Sequence, residues 1–430
     1  MTLSRPNLIK LLGPVVVFFS LLGVLLALNG GGAPALPSLS AGADLGRPSG
    51  DPVRDAQAAV RAAPDSAGAY ALLGDTYLAR ARETGDPGFY SRAERAFDAA
   101  LMRDPRDVGA LIGAGTLAGL RHDFGEQLEL GLDARRAEPD LVRPYTVVAD
   151  AQIELGRYDD AAGSIQRLLD LKPGLAAYAR ASYLRELTGD PAGAVAAMRL
   201  AASASGTAES RAYVQALVGD LELGRGRVAA ARDAYREAQR ALPSYPQALT
   251  GLARVDAAGG DLGSAAARLR RSTRALPLTA SLTLLAQIEA ALGRDRAADA
   301  DLAAARAQHA LLRGGGARPD AEAVIFEAEH GSPARAVRLG RSVWEAAPSI
   351  RSADALGWSL TRAGDPRSGL AWARRALRTG SLDPAFHLHA AVAAARAGHA
   401  TPAARHARLA RRGAAALTPS GRALLGKVSS

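Results

Sequence analysis

The chain has 430 residues, a formal net charge of +10, no cysteine, and 48% hydrophobic but only 5% aromatic residues. The lack of cysteine excludes disulfides, thiolate metal sites, cysteine nucleophiles and a lipid-modified N-terminal cysteine. An apolar fraction made mostly of alanine requires helices that approach closely, and alanine is the best helix former, so the composition implies an all-α chain.

In chain order, residues 1–10 form a short basic start with Arg5 and Lys10. Residues 11–28 read LLGPVVVFFSLLGVLLAL, with no charge. As a helix that run spans about 27 Å at about 1.5 Å per residue, close to the hydrocarbon thickness of a bilayer. The flanking cations place the N-terminus in the cytoplasm and the rest outside. The run is expected to be a single-pass transmembrane signal anchor in the cell membrane, with everything after it extracytoplasmic. The alternative is a cleaved signal and a secreted chain, for which Ala33-Pro34-Ala35 and Ala41-Gly42-Ala43 are imperfect cleavage sites. Residues 29–52 are rich in Gly, Pro, Ser and Ala and read as a flexible linker.

From residue 53 onward one pattern recurs. In AARDAYREAQRALP, residues 230–243, a small residue, a ring, a small residue and a proline fall at 231, 235, 238 and 243. Ala93, Phe97, Ala100 and Pro105 keep the same offsets. Pro105, Pro139 and Pro173 are 34 residues apart, as are Pro243 and Pro277. A second signal, a small pair, lies upstream at Leu73-Gly74, Val218-Gly219 and Leu356-Gly357. A turn glycine precedes the first small residue at Gly156, Gly226, Gly331 and Gly398. Residue 235 is expected to fill the space between copies, and Pro243 to end the second helix. The first copy also has Tyr70 and Tyr77 on its first helix.

A helix-turn-helix unit at this period is similar to the tetratricopeptide repeat. The resemblance covers about ten copies after Asp65, with residues 52–64 as a lone cap. It implies an all-α, right-handed α-solenoid of stacked hairpins following the N-terminal transmembrane helix. The first solenoid segment is expected over 53–312, a Gly-rich hinge over 313–317 (Gly314 to Gly316), and a second segment over 318–430. That last part is basic: residues 313–430 hold 18 Lys and Arg against 8 Asp and Glu, and the remainder balances.

Catalytic chemistry finds no foothold. Gly421 to Val428 nearly spells a phosphate-binding loop, but Val428 stands where Ser or Thr must follow the lysine. Gly224 to Ala229 matches the loose G-x-G-x-x-A pattern, yet it falls in a helical turn and not after a strand. His387, His389, His399 and His406 cluster late and read as solvated surface histidines, not as a converging metal set. Asp190 before Pro191 reads as a helix cap. No enzyme, cofactor, metal or small-molecule substrate is expected.

The resemblance further implies a concave groove for a protein or peptide partner. Its inner positions map to Asp75 and Leu78, Ile112 and Thr116, then Arg143, Thr146, Asp150 and Glu154. They continue through Tyr183 and Glu186, Tyr213 and Asp220, to Arg351, Asp354, Trp358 and Arg362. Lys and Asn clamps for a partner's C-terminal carboxylate are not expected, since asparagine occurs only at 7 and 29 and the repeat region has little lysine. Arg405, Arg408, Arg411 and Arg412 recur at helical spacing. They form a basic face, read either as a docking face for an acidic protein or anionic headgroups or as the solvated side of a terminal helix. Nucleic acid is not expected, because the anchor puts the domain outside the cytoplasm. The function so read is a membrane-tethered, non-catalytic scaffold, with a secreted module for envelope assembly as the alternative.

Overall fold

The computed structural model describes residues 49–428. The apolar run at 11–28 lies outside the described residues, and none of the described helices is long and apolar enough to cross a membrane.

The described residues form α-helices, two short 3-10 turns and no strand. Helix α1 (Pro52–Ala62) stands alone. Ten helix pairs follow: α2 (Ala67–Thr84) with α3 (Tyr90–Arg103), α4 (Val108–Leu120) with α5 (Phe124–Ala137), and α6 (Val142–Glu154) with α7 (Tyr158–Leu171). The middle pairs are α8 (Leu175–Leu187) with α9 (Pro191–Ser203), α10 (Ala208–Gly224) with α11 (Val228–Ala241), and α12 (Pro246–Ala258) with α13 (Leu262–Ala275). The last are α14 (Thr279–Ala291) with α15 (Asp295–Gly314), α16 (Ala321–His330) with α17 (Pro333–Ala346), α18 (Ile350–Arg362) with α19 (Pro366–Ala376), and α20 (Pro384–Arg396) with α21 (Ala400–Arg412). Helix α22 (Pro419–Val428) closes the array. This is a tetratricopeptide-like solenoid.

Local chemistry explains the punctuation. Asp104, Glu138, Lys172, Leu242 and Leu276 each precede a proline and leave the helical region, with φ between −156° and −137°. The following ring disfavours the helical conformation of the residue before it, so each second helix stops there. Asp123, Asp190, Asp261 and Asp365 start second helices by accepting a backbone N–H with the side chain. Such a cap satisfies one of the amides a helix start leaves unpaired.

Rings and glycines register one pair against the next. Phe97, 1% exposed, is wedged between Gly74 and Gly113, and the fully buried Tyr235 between Gly219 and Gly251. A Cβ at any of these four glycines would sit closer than 3.0 Å to the ring. Each ring comes from a second helix and touches the first helices of two successive pairs. Ala231 and Ala238 beside Tyr235 are fully buried, so the helices meet on their smallest side chains.

The array does not stay open. Arg121 Nε donates to the Gly315 carbonyl at 3.1 Å, and the Ile350 amide donates to Tyr158 Oη at 2.9 Å. Thr379 Oγ1 donates to the Leu187 carbonyl at 2.6 Å. These contacts join residues 192–194 positions apart, between five and six periods of 34. The chain therefore completes one turn of a superhelix and lays the second turn directly on the first. Turns inside the early pairs meet connections between the late pairs. At Gly156, Gly189 and Gly226, φ is 70°, 83° and 75°. An added Cβ there would strike the carbonyls of Pro348, Gly380 and Arg412. The Gly314–Gly316 segment, read from sequence as a hinge, is one of these contacts. Gly315 packs on Pro87, and the Arg318 amide donates to the Arg121 carbonyl at 2.8 Å.

Alanine at Gly398, where φ is 81° and nothing lies within 4 Å of the added Cβ, is expected to cost only backbone strain, about 1–2 kcal/mol. Alanine at Gly189 or Gly226 adds overpacking between turns, a further ~1–3 kcal/mol. Thermal melts of the three variants check this, and equal losses would contradict the contact between turns.

Candidate functional site

The winding decides where the expected groove residues lie. Buried Asp150 of α6 and Arg180 of α8 form a bidentate ion pair, Nε to Oδ1 at 2.8 Å and Nη2 to Oδ2 at 2.6 Å. Glu154 Oε1 accepts from Tyr183 Oη at 3.2 Å and faces Arg351 Nη1 at 3.5 Å. Arg351 in turn donates to Tyr183 Oη at 3.0 Å. Thr146 is buried and donates to the Arg143 carbonyl, and Tyr213 is 2% exposed. Trp358 is 1% exposed, donates to Glu329 Oε1 at 3.0 Å and stacks on His389, with Arg362 on its ring 5.7 Å from the centroid.

An open wall was expected at Thr146, Asp150, Glu154, Tyr183, Tyr213 and Trp358. In the wound form these six are buried. Glu154 and Tyr183 lie beneath α18 of the second turn, whose Arg351 reaches across onto both; Asp150 is covered by Arg180 of α8, and Trp358, itself on α18, by Glu329 and His389. Asp75, Thr116, Asp220 and Arg362 remain half-buried. Asp75 lies 3.7 Å from Arg143, Thr116 bonds back to the Ile112 carbonyl, and Asp220 accepts from Tyr235 and Arg254. The histidines also differ from expectation. His387 and His389 are 5% and 1% exposed, because α20 is covered by α21 and α22. His389 Nδ1 contacts Asp354 at 2.8 Å, and His387 stacks on His406.

Sequence reading missed the partners Arg180, Arg254 and Glu329. A signal was present. Asp150 and Arg180 are 30 residues apart, Asp220 and Arg254 are 34, and Asp354 and His389 are 35. Opposite charges one repeat apart on first helices face each other across neighbouring pairs.

Besides a pocket at Phe124, Glu154 and Asp320, a cavity of about 300 Å³ lies between the turns. It lies among α8, α10, the start of α20 and the end of α21. Leu187, Met198, Leu217, Leu221 and Leu417 make its apolar lining, and Glu186, Asp220, Arg254, Arg351 and Asp383 converge on it. Burial, with Asp383 and Asp220 alongside, pushes the Glu186 carboxyl up to about 8. Burial likewise raises Asp383 to about 6, although it caps α20 by accepting from Ala385 and Phe386. A half-buried carboxyl that keeps its proton near neutrality can donate a hydrogen bond to a ligand. Ser182, Ser381 and His387 also line the cavity, but Ser182 Oγ donates to the Ala194 carbonyl and His387 Nδ1 faces His406 Nδ1, not a serine or a carboxylate. Among the described residues no group of three or more His, Asp or Glu could hold a metal ion. The near phosphate-loop at Gly421–Val428 lies within α22, and the glycine pattern at 224–229 is the α10–α11 turn.

Most of the basic face lies outside the cavity, but Arg412 also lines it. Arg405, Arg408, Arg411 and Arg412 are all exposed along α21, opposite the buried stripe Ala403, Ala407 and Ala410.

No family model matches the sequence, and no curated protein matches it. Solved structures similar to this chain include a human IFIT1 dimer with m7Gppp-AAAA, at 17% identity and a TM-score of 0.46, covering 73% of this chain and 72% of that one. The Cut9–Hcn1 hetero-tetramer of the APC/C is similar at 14% identity and a TM-score of 0.38, covering 88% and 81%. PilW, a type IV pilus biogenesis factor, is similar at 21% identity and a TM-score of 0.39, covering 48% and 97%. With overlaps this low, the repeat class rests on the period and packing described above.

Removing one partner of the buried pair, as in Asp150→Ala, strands the Arg180 guanidinium and is expected to cost about 3–5 kcal/mol. Replacing both, Asp150→Leu with Arg180→Met, is expected to cost much less in the same denaturation assay. For Glu186, the folded chain holds a proton between pH about 4.3, where the unfolded carboxyl titrates, and about 8. Stability is therefore expected to fall as pH rises through that window. Melting temperatures from pH 5 to pH 8 should decline less in Glu186→Gln than in the parent chain.

Proposed function

We propose that this chain is a non-catalytic scaffold, held at a membrane by residues 11–28, whose wound solenoid binds protein or peptide partners outside the cytoplasm. The observation that carries the reading is the inner wall. Most of its charged and aromatic side chains pair with one another, within a repeat or two or across the turns, so they hold the coil together. What stays accessible is surface: the backs of the second helices, the ends of the coil and the mouth of the 300 Å³ cavity. Apolar lining with a few convergent polar groups suits the anchoring side chain of a peptide.

The tether in this reading rests on the sequence. Eighteen uncharged residues after Arg5 and Lys10 match a bilayer span and its orientation. The secreted alternative is favoured by the small residues at Ala33-Pro34-Ala35 and Ala41-Gly42-Ala43.

Protease added to intact cells bearing the full chain is expected to digest the repeats while a fragment containing residues 1–28 stays with the membrane. Repeats protected until lysis would overturn the topology. Mass spectrometry of the mature N-terminus separates the two forms, since a start after Ala35 or Ala43 would support the secreted one. Partner capture by crosslinking is expected to weaken at least tenfold in Leu217→Arg, which fills the cavity; undiminished capture would move the partner to another surface.

A further inference from the structure

The second helices of the last three pairs carry a field of cations. Arg335, Arg338 and Arg341 on α17, Arg367, Arg374 and Arg375 on α19 with Arg378 just after it, and Arg405, Arg408, Arg411 and Arg412 on α21 are all exposed. Glu345 is the single carboxylate in these three helices. Earlier second helices differ: α5 has three acids and two arginines, α11 pairs Arg240 with Glu237, and α13, with four arginines and no acid, has Arg268 paired with Asp256 and Arg270 with Glu289. The three helices are contiguous. Trp344 of α17 meets Trp372 of α19 edge to face at 4.8 Å, and Arg374 of α19 with Arg405 of α21 contributes to holding His406 below its usual range, burial being the larger cause.

Little inside the protein neutralises the field. Arg335 pairs with Glu327. Arg375 lies over the Trp372 ring, and Arg378 donates to the Pro348 carbonyl. Among the described residues, Arg341, Arg374, Arg405, Arg408, Arg411 and Arg412 form no ion pair with a carboxylate, and Arg367 feels only the charge of Asp365. Like charges gathered this closely repel, and a polyanion relieves that repulsion.

We infer that the outer faces of α17, α19 and α21 dock on the phosphate headgroups of an anionic lipid bilayer. The inference rests on the proposed membrane attachment. Three observations favour lipid over other polyanions. The field lies on the backs of adjacent helices and not in a groove that would track a nucleic-acid strand. Its two tryptophans are half-buried against each other, so no exposed ring offers a stacking platform for bases. None of the exposed large apolar residues, Met102, Leu141, Leu200, Leu311 and Leu382, lies on these three helices, so the apolar centre of a protein interface is missing. Guanidinium groups meet phosphate in a planar two-point geometry, and the attraction accumulates along a charged surface. The 20 residues between the apolar run and Ser49 reach at most about 70 Å, so a tethered coil stays near its own bilayer.

Because the chain has no cysteine, one introduced thiol reports one place. The full chain bearing Ala404→Cys, on α21, or Ala162→Cys, on α7, is labelled with a polarity-sensitive dye. It is then added to phosphatidylcholine vesicles with or without about 30% phosphatidylglycerol. The Ala404 dye is expected to shift at least threefold more on anionic than on neutral vesicles, and the Ala162 dye equally on both. Screening by about 0.5 M sodium chloride should abolish the difference. So should the combined Arg405→Glu, Arg408→Glu, Arg411→Glu and Arg412→Glu variant, verified as folded by circular dichroism, while the four lysine replacements preserve it. Equal shifts on both vesicles would overturn the inference. A response to an oligonucleotide or polyglutamate but not to phosphatidylglycerol would overturn it in favour of that polyanion. Failure of the tether reads separately, as a chain that does not float with neutral vesicles, and it leaves the anionic comparison intact.

Discussion

The close approach of backbone to backbone between successive turns governs this molecule. Gly156, Gly189 and Gly226 adopt a left-handed conformation inside early hairpins, and each presses against a carbonyl of a late connection. A side chain at any of them would hold the turns apart. With the turns touching, the inner face of the first turn is a buried interface and no longer a free channel. The burial of Glu154 and Tyr183 beneath Arg351 follows from that pitch.

Buried ion pairs inside such an interface add little net stability, because desolvation offsets most of their attraction. Their value lies in register. Asp150 with Arg180 and Asp220 with Arg254 each tie one hairpin to its neighbour, and Glu154 with Arg351 ties the first turn to the second. A slip of one hairpin would bury each of these charges without a partner. The alanine-rich contacts beneath them are interchangeable by shape, so the charges supply the specificity that the small side chains cannot.

The hairpins and their solenoid stacking were legible in the sequence, and the contact between successive turns was not. Proline spacing, the Phe97 and Tyr235 positions and their glycine partners are local, one-period signals, and the structure uses them as read. The Asp190 cap is another. Contacts such as Tyr158 to Ile350 join positions 192 residues apart and leave no periodic trace. Trp358, His387 and His389, read as groove or surface residues, are interior because neighbouring helices of the same turn cover them. Charge pairing one repeat apart was visible in principle, since Asp220 and Arg254 are separated by the repeat length itself. The membrane run and residues 29–48 of the linker fall outside the described residues and stand on the sequence alone, while Pro52, taken as its last residue, opens α1.

Open solenoids add units independently, each leaning only on the next, and can fold or fray from either end. Laying the second turn on the first breaks that one-dimensional logic. The C-terminal hairpins bind a template that exists only after more than five earlier ones have formed. The seam that results has very high contact order, so its closure is a late and slow event. A nascent chain emerging N-terminus first assembles its template before the clasp arrives, and the finished coil gains an all-or-none character that a linear stack of the same hairpins would lack.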